Sequence, residues 1–407
     1  MNTEVDPAAA APAGWRRLGL SERGWTAALA ALLVAAVLVR LAVLWLSEGS
    51  NDIRTWEGFA QSIREVGVLG TYAALPGFNH PPLAGYYAEL AAAAASAAGL
   101  RFAPVFKAGP FLADLAVAGL FYRLRRPAGA AAATAAAAAY LWSPVAILIT
   151  AHHGNTDTVL AALLFAAALL ADRGRPVAAG LALAGAVNVK IVALLLAPVL
   201  ALHFGSWRER LRFGGTLAVG ALPFLPVVLY AWPAFSRNAV QYNSNLDHWG
   251  VPFFLLGLQT IRHAEEAATA ALAWFLPAGR YLVFLGVGLV AWLGRSGRRP
   301  ALEKGAVTMA LMLVLAPGFG VQYAIWVLPL LMAASPRHAL PYNLAAGAFL
   351  LLVYLHFWVG GVPVLSWFSS RLPLGAAPFG VLAWGVLVSY LVATGGRWRA
   401  QTGAAPG

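Results

Sequence analysis

The stretch GWTAALAALLVAAVLVRLAVLWL, Gly24 to Leu46, followed at once by SEGSND, Ser47 to Asp52, decides the fold. About 20 apolar residues suffice for one helical crossing of a bilayer, so this run reads as a membrane helix. It is longer than the apolar core of a signal peptide, about 7–15 residues, and no small-residue cleavage site follows. The reading is an uncleaved anchor with its N-terminus in the cytosol. Residues 1–23, Ala/Pro-rich and then basic at Trp15-Arg16-Arg17, read as a disordered cytoplasmic tail. Asp52 lies just past the anchor. A carboxylate at the boundary of bilayer and water is costly to keep unless something uses it.

The rest of the chain has the same character. Of 407 residues 60% are hydrophobic and only 11% are charged, against roughly 25% charged in soluble proteins, so lipid is the main solvent. The absence of cysteine excludes disulfides, thiol catalysis and thiolate metal sites. The net charge of +12 does not point to nucleic acid, because no basic face interleaved with aromatics exists. The basic residues sit in short loops between apolar runs, as cytoplasmic loops and anionic headgroups require.

Those loops orient the chain. Arg123 to Arg126, Asp172 to Arg175, Trp207 to Arg212, Arg295 to Arg299, Arg337-His338 and Arg397 to Arg399 are expected in the cytosol. Segments 47–80, 150–157, 233–250, 317–322 and 360–375 are then expected on the other side. Spans fall near 104–122, 128–149, 158–171, 214–232, 274–294, 305–316, 323–334, 340–359 and 376–394. Pro81 to Leu100 is apolar, but a crossing there would put Arg123–Arg126 outside, so it reads as an interfacial or re-entrant helix. Val177 to His203 is long for one crossing and short for two. It reads as a helix broken around Asn188-Val189-Lys190. The expected fold is an all-α polytopic bundle of roughly ten to thirteen spans, one domain over 24–396 with a cytoplasmic tail at 397–407.

Polar residues crowd the non-cytoplasmic side. From Arg54 to Val66, Trp56, Phe59, Ala60 and Ile63 recur at helical spacing beside Glu57, Gln61, Arg64 and Glu65, an amphipathic helix suited to the interface plane. Asp52 immediately precedes it, and two roles stay open: an N-cap or a general base. Asn79-His80-Pro81-Pro82 holds His80 at the start of the next helix, as a ligand for phosphate or hydroxyl or as plain loop structure. His152-His153-Gly154-Asn155-Thr156-Asp157 sits between two spans. Adjacent histidines rarely converge on one ion, and substrate or phosphate contact is the favoured reading over metal. Lys190 is a lone cation in an apolar segment, suited to an anion such as a lipid phosphate. Asp247 and His248 lie in the polar-aromatic loop Tyr242 to Gly250, which suits either sugar contacts or an interfacial belt. Gln322 and Trp326 share one helix face beside Tyr323.

Taken in order, five pieces resemble the GT-C type integral-membrane glycosyltransferases, nearest their bacterial mannosyltransferase-like branch. They are Asn51-Asp52, Asn79-His80-Pro81-Pro82-Leu83, His153-Gly154-Asn155-Thr156-Asp157, Asn188-Val189-Lys190 before Leu194 to Pro198, and Gln322-Tyr323-x-x-Trp326-x-x-Pro329. The resemblance implies inverting transfer of a sugar from a polyprenyl-phosphate donor, without metal or other cofactor, at the outer face of the bacterial plasma membrane. It implies Asp52 as base. Lys190, Gln322, Tyr323, His152, His153 and Asp157 would bind donor phosphate or sugar, and Arg54, Glu57, Asn79, His80, Asp247 and His248 would meet the acceptor or its loop. A single acid in the first outer loop departs from the paired acids of metal-dependent oligosaccharide transfer. The partners implied are the lipid-linked donor, a lipid or glycan acceptor and membrane lipids. A carrier of lipid-linked or polar substrates is the other class, motivated by the break at Asn188–Lys190.

Overall fold

Ala, Leu and Val dominate the first apolar run, and nothing between Gly24 and Leu46 interrupts a helix. It forms α1, Glu22–Leu46. The computed structural model describes residues 22–242, 244, 246, 249–295, 299–357 and 375–403. Asp247 and His248 lie outside the described residues, as do most of segment 360–375 and the tail 1–21. Every regular element among the described residues is helical.

After α1 come α2 (Asn51–Ala74), α3 (Pro82–Ala98), α4 (Phe102–Arg125), α5 (Ala130–Leu141), the short α6 (Pro144–Ile147), α7 (Asp157–Asp172) and α8 (Pro176–Val189). The chain continues through α9 (Leu196–Ala201), α10 (Trp207–Gly220), α11 (Leu225–Tyr230), α12 (Trp232–Phe235) and α13 (Gly250–Leu258). It ends with α14 (Glu265–Leu293), α15 (Ala301–Leu315), α16 (Ala324–Ala334), α17 (Pro336–Phe357) and α18 (Ala377–Gly403). Five described helices are long and apolar enough to cross a membrane, at 24–46, 102–128, 265–293, 336–356 and 377–400. Two bent pairs, 130–153 and 207–230, raise this to seven, with bends of 52° and 41°. The expected spans 158–171, 305–316 and 323–334 fall on α7, α15 and α16, of 16, 15 and 11 residues, which at 1.5 Å per residue do not reach across 30 Å alone.

Breaks fall where the sequence supplies a reason. α5 stops before Ser143-Pro144, and the Ser143 hydroxyl caps the next helix by accepting from the Ala146 N–H. α8 ends at Lys190, whose backbone is extended (φ −150°, ψ 135°), and the chain resumes as a 3₁₀ turn over Ile191–Leu195. The break expected there is present. The Asn188 amide donates to Gly220 O at 2.8 Å and Ala184 O at 2.9 Å, which staples α8 to α10. The basic end at Arg397–Arg399 continues α18 and is helical.

Two apolar cores hold the bundle. The larger joins α4, α5, α7, α8 and α15–α17. The smaller lies under α2 and α3 and is built on Trp56, Phe59, Tyr72, Phe78 and Phe106. Trp56 packs on Phe106 with ring centroids 5.2 Å apart and on His80 at 4.2 Å. Aromatic pairs of this kind contribute about 0.5–1.5 kcal/mol each beyond area burial. They fix α2, and with it Asp52. Inside the bundle Arg40 Nε meets Asp114 Oδ2 at 2.6 Å, and Tyr140 donates to Asp114 Oδ1 at 2.6 Å, tying α1, α4 and α5 together.

Candidate active site

The helix expected from Arg54 begins earlier, at Asn51, and its N-cap is Ser50: the Ser50 hydroxyl accepts from the Asp52 N–H. The capping role left open for Asp52 therefore falls to Ser50. The Asp52 carboxylate turns into the protein instead. Its Oδ2 receives His153 Nε2 at 3.0 Å and Asn155 Nδ2 at 2.5 Å. No hydrogen bond to Oδ1 occurs among the described residues. The side chain keeps 22% of its surface exposed, while His153 keeps 1%.

The turn after α1 and the segment before α7 lock into each other. The Ser50 N–H and hydroxyl both donate to His153 O at 3.0 Å. Leu148–His153 forms a π-helical turn that ends on Gly154, whose φ of 78° suits glycine. π turns of this kind often occur at functional sites. Gly49 (φ 93°) lies so near that a Cβ there would stand 3.1 Å from His152 O and 3.2 Å from His153 O. His152 Nδ1 pairs with the Ser47 hydroxyl at 2.8 Å, and Lys107 Nζ, wholly buried, donates to Ser47 O at 2.8 Å.

A second polar group stands at the break in α8. Lys190 Nζ lies 2.9 Å from Asp157 Oδ1, and Trp326 Nε1 donates to the same oxygen at 2.6 Å. Asp157 is wholly buried, and among the described residues its Oδ2 has no hydrogen-bond partner. Tyr323 stacks on Trp326 at 4.0 Å, and Lys190 lies 5.2 and 5.4 Å from those two rings.

Charge links the two groups. Burial acts to raise the Asp52 pKa, but the charge and hydrogen bond of His153, the bond from Asn155 and the Lys190 charge outweigh it, leaving the carboxyl below its ordinary value. For His80, burial and then Lys190 hold the imidazole well below its ordinary value, against an opposing pull from Asp52. Asp52, His80 and Lys190 thus share one electrostatic neighbourhood. The pair Asp52–His153 and the pair Lys190–Asp157, both drawn from motifs read in the sequence, are brought together here.

Other expected residues stand apart. Gln322 is half-buried, and among the described residues no hydrogen bond joins it to the cluster; its amide lies back over Gly320. Asn79 is half-buried beside His80. Arg54 and Glu57 are exposed and line a cavity of about 350 Å³ beside α2, with Asn51, Ile53, Arg101 and Phe102. Asp52 is not in its wall. Reading the residues missed Tyr354, which meets His153 Nδ1 at 2.9 Å from α17, and Lys107, and it gave Asn155 and Trp326 no roles of their own. A lone ionisable group within an apolar run was the available signal for Lys107.

A multi-pass helix bundle with a pre-set carboxylate and a partly exposed cation at one end is suited to a membrane enzyme that transfers groups. The particular family follows from comparison: the chain belongs to glycosyltransferase family 87, whose model matches residues 90–317. It is a membrane glycosyltransferase. The match takes in His152, His153, Asn155, Asp157 and Lys190, and leaves Asp52, Tyr323 and Tyr354 outside. No curated protein matches the chain.

Proposed function

We propose that the protein moves one sugar, a hexose of mannose type, from a polyprenyl-phosphate carrier to a hydroxyl of a lipid or lipid-linked glycan. Transfer takes place with inversion on the face of the plasma membrane away from the cytosol. The observation that carries this reading is the Asp52 carboxylate, which among the described residues is held through Oδ2 with no hydrogen bond to Oδ1, within range of the Lys190 charge. An acid kept ionised with one free oxygen is what a general base requires.

In the step itself the acceptor oxygen attacks the anomeric carbon and a new C–O bond forms as its proton passes to Asp52 Oδ1. The bond from the anomeric carbon to the phosphate oxygen breaks, and its electron pair leaves with the lipid phosphate. That oxyanion needs a cation, a role suited to Lys190, which stands at a break in a helix with Asp157 as its present partner. Arg54, Glu57 and the cavity beside α2 frame the acceptor side in this reading.

The test uses purified protein in sealed liposomes with polyprenyl-phosphate mannose and a lipid extract of the source membrane as acceptor pool. Mass spectrometry should find a lipid one hexose heavier together with free polyprenyl phosphate. Passage of the donor across the bilayer with no new glycosidic bond would instead make the protein a carrier.

A further inference from the structure

Tyr354 reaches His153 from α17, 201 positions along the chain and beyond the family match. Its hydroxyl is 2.9 Å from His153 Nδ1, while His153 Nε2 is 3.0 Å from Asp52 Oδ2. Tyr354 is 5% exposed and His153 1%, so neither contact is a surface accident. The Tyr354 ring also rests against both histidines, with centroids 4.8 Å from His152 and 5.7 Å from His153. Both nitrogens of one buried imidazole are therefore engaged in a line that runs from the phenol to the carboxylate.

Two proton arrangements fit such a line. In one, Tyr354 donates to Nδ1 and a neutral His153 donates through Nε2–H to Asp52. In the other, His153 is an imidazolium that donates to both neighbours. In both, the Nε2–H of His153 points at Asp52 Oδ2. Lys190 acts on Asp52 from the break in α8, and Lys107 acts on His152 from α4. Asp157 on α7 is already matched to Lys190, and His80 adds no negative charge. Asn155 gives Asp52 Oδ2 a second donor.

We propose that Tyr354 is a positioning residue of the catalytic acid: its hydroxyl, bonded to His153 Nδ1, fixes the ring so that Nε2–H orients Asp52 with Oδ1 free. The inference rests on the reading of Asp52 as base. A phenol suits the task because its hydroxyl can donate to a ring nitrogen or accept from one without bringing charge. It also couples α17 to the acid, so that a shift of that helix alters the base.

Tyr354→Phe keeps the ring and removes only the hydroxyl. In liposomes with polyprenyl-phosphate mannose and the membrane lipid extract, kcat near neutral pH should fall about tenfold, the effect of one lost hydrogen bond. The donor KM should stay unchanged, and the acid limb of the kcat profile should move to higher pH, because a His153 ring no longer fixed in place lowers Asp52 less. Equal loss at every pH with an unmoved acid limb would overturn the proposal and leave Tyr354 a packing residue. A second measurement compares ¹⁵N spectra of histidine-labelled wild-type and Tyr354→Phe protein: the His153 Nδ1 signal should differ between them. Identical His153 signals would also overturn it. Failure of the base reading is separate, since it shows as full turnover by Asp52→Asn whatever His153 does.

Discussion

Asp52 and His153 stand 101 positions apart in the chain and meet at 3.0 Å, the first residue at the start of α2 and the second at the end of a π turn. The contact brings two of the sequence motifs into one site and gives the acid its direction.

The pair sets a pH dependence. Burial alone would raise the Asp52 carboxyl, and His153 is foremost among the groups that bring it below its ordinary value. A carboxyl lowered by folding contributes stability above its unfolded pKa, and that contribution is lost as pH falls through the folded value. His153→Ala removes the leading opposition while burial remains. The acid limb of kcat should therefore move to higher pH, and acid unfolding followed by tryptophan fluorescence should begin at higher pH. An acid limb in the wild-type place would exclude His153 from control of Asp52.

Gly154 tests the loop that carries the histidine. Its φ is 78°, and a Cβ there would stand 2.6 Å from Ile53 Cγ1 and 3.1 Å from Lys107 Cε, closer still to Ile53 Cδ1. Gly154→Ala should cost about 1–3 kcal/mol, read as a lower midpoint in thermal unfolding in detergent, with turnover reduced as His153 shifts. Gly174 also has a positive φ, 63°, but a Cβ there meets nothing within 4 Å. Gly174→Ala should therefore cost less.

Arg40 and Asp114 are both wholly buried and meet at 2.6 Å. Removing one partner strands the other, so Arg40→Met should destabilise by about 3–5 kcal/mol. Arg40→Met with Asp114→Leu should recover much of that loss in thermal unfolding. Independent, additive losses would mean that the pair is not coupled.

Much of this was legible in the chain. The apolar run 24–46 and the basic loops gave the polytopic helical class, and the break at Lys190 showed as a segment too long for one span. The motif His152 to Asp157 marked the candidate site because polar density beside hydrocarbon is expensive. Tyr354 was not legible, because a phenol inside an apolar helix reads as core until its partner is known. The cap at Ser50 was also hidden: Ser, Asn and Asp in a row are all good caps, and only coordinates show which side chain turns back to the helix and which turns inward.

Lys190 and Asp157 offer a test of the donor side. Lys190→Gln keeps a hydrogen-bonding group beside Asp157 but removes the charge. Donor KM should rise at least tenfold, as expected for loss of a charge-assisted bond to phosphate, with the acid limb of kcat moved to higher pH because Lys190 also lowers Asp52. An unchanged donor KM would place the phosphate elsewhere.

The most direct measurement is turnover by Asp52→Asn, purified, folded and reconstituted beside the wild type with polyprenyl-phosphate mannose and the membrane lipid extract. Asparagine keeps the shape and loses the basicity, so the rate should fall by about 10²–10⁴ with the thermal midpoint little changed. Wild-type turnover by the folded variant would contradict the account of Asp52 as the base.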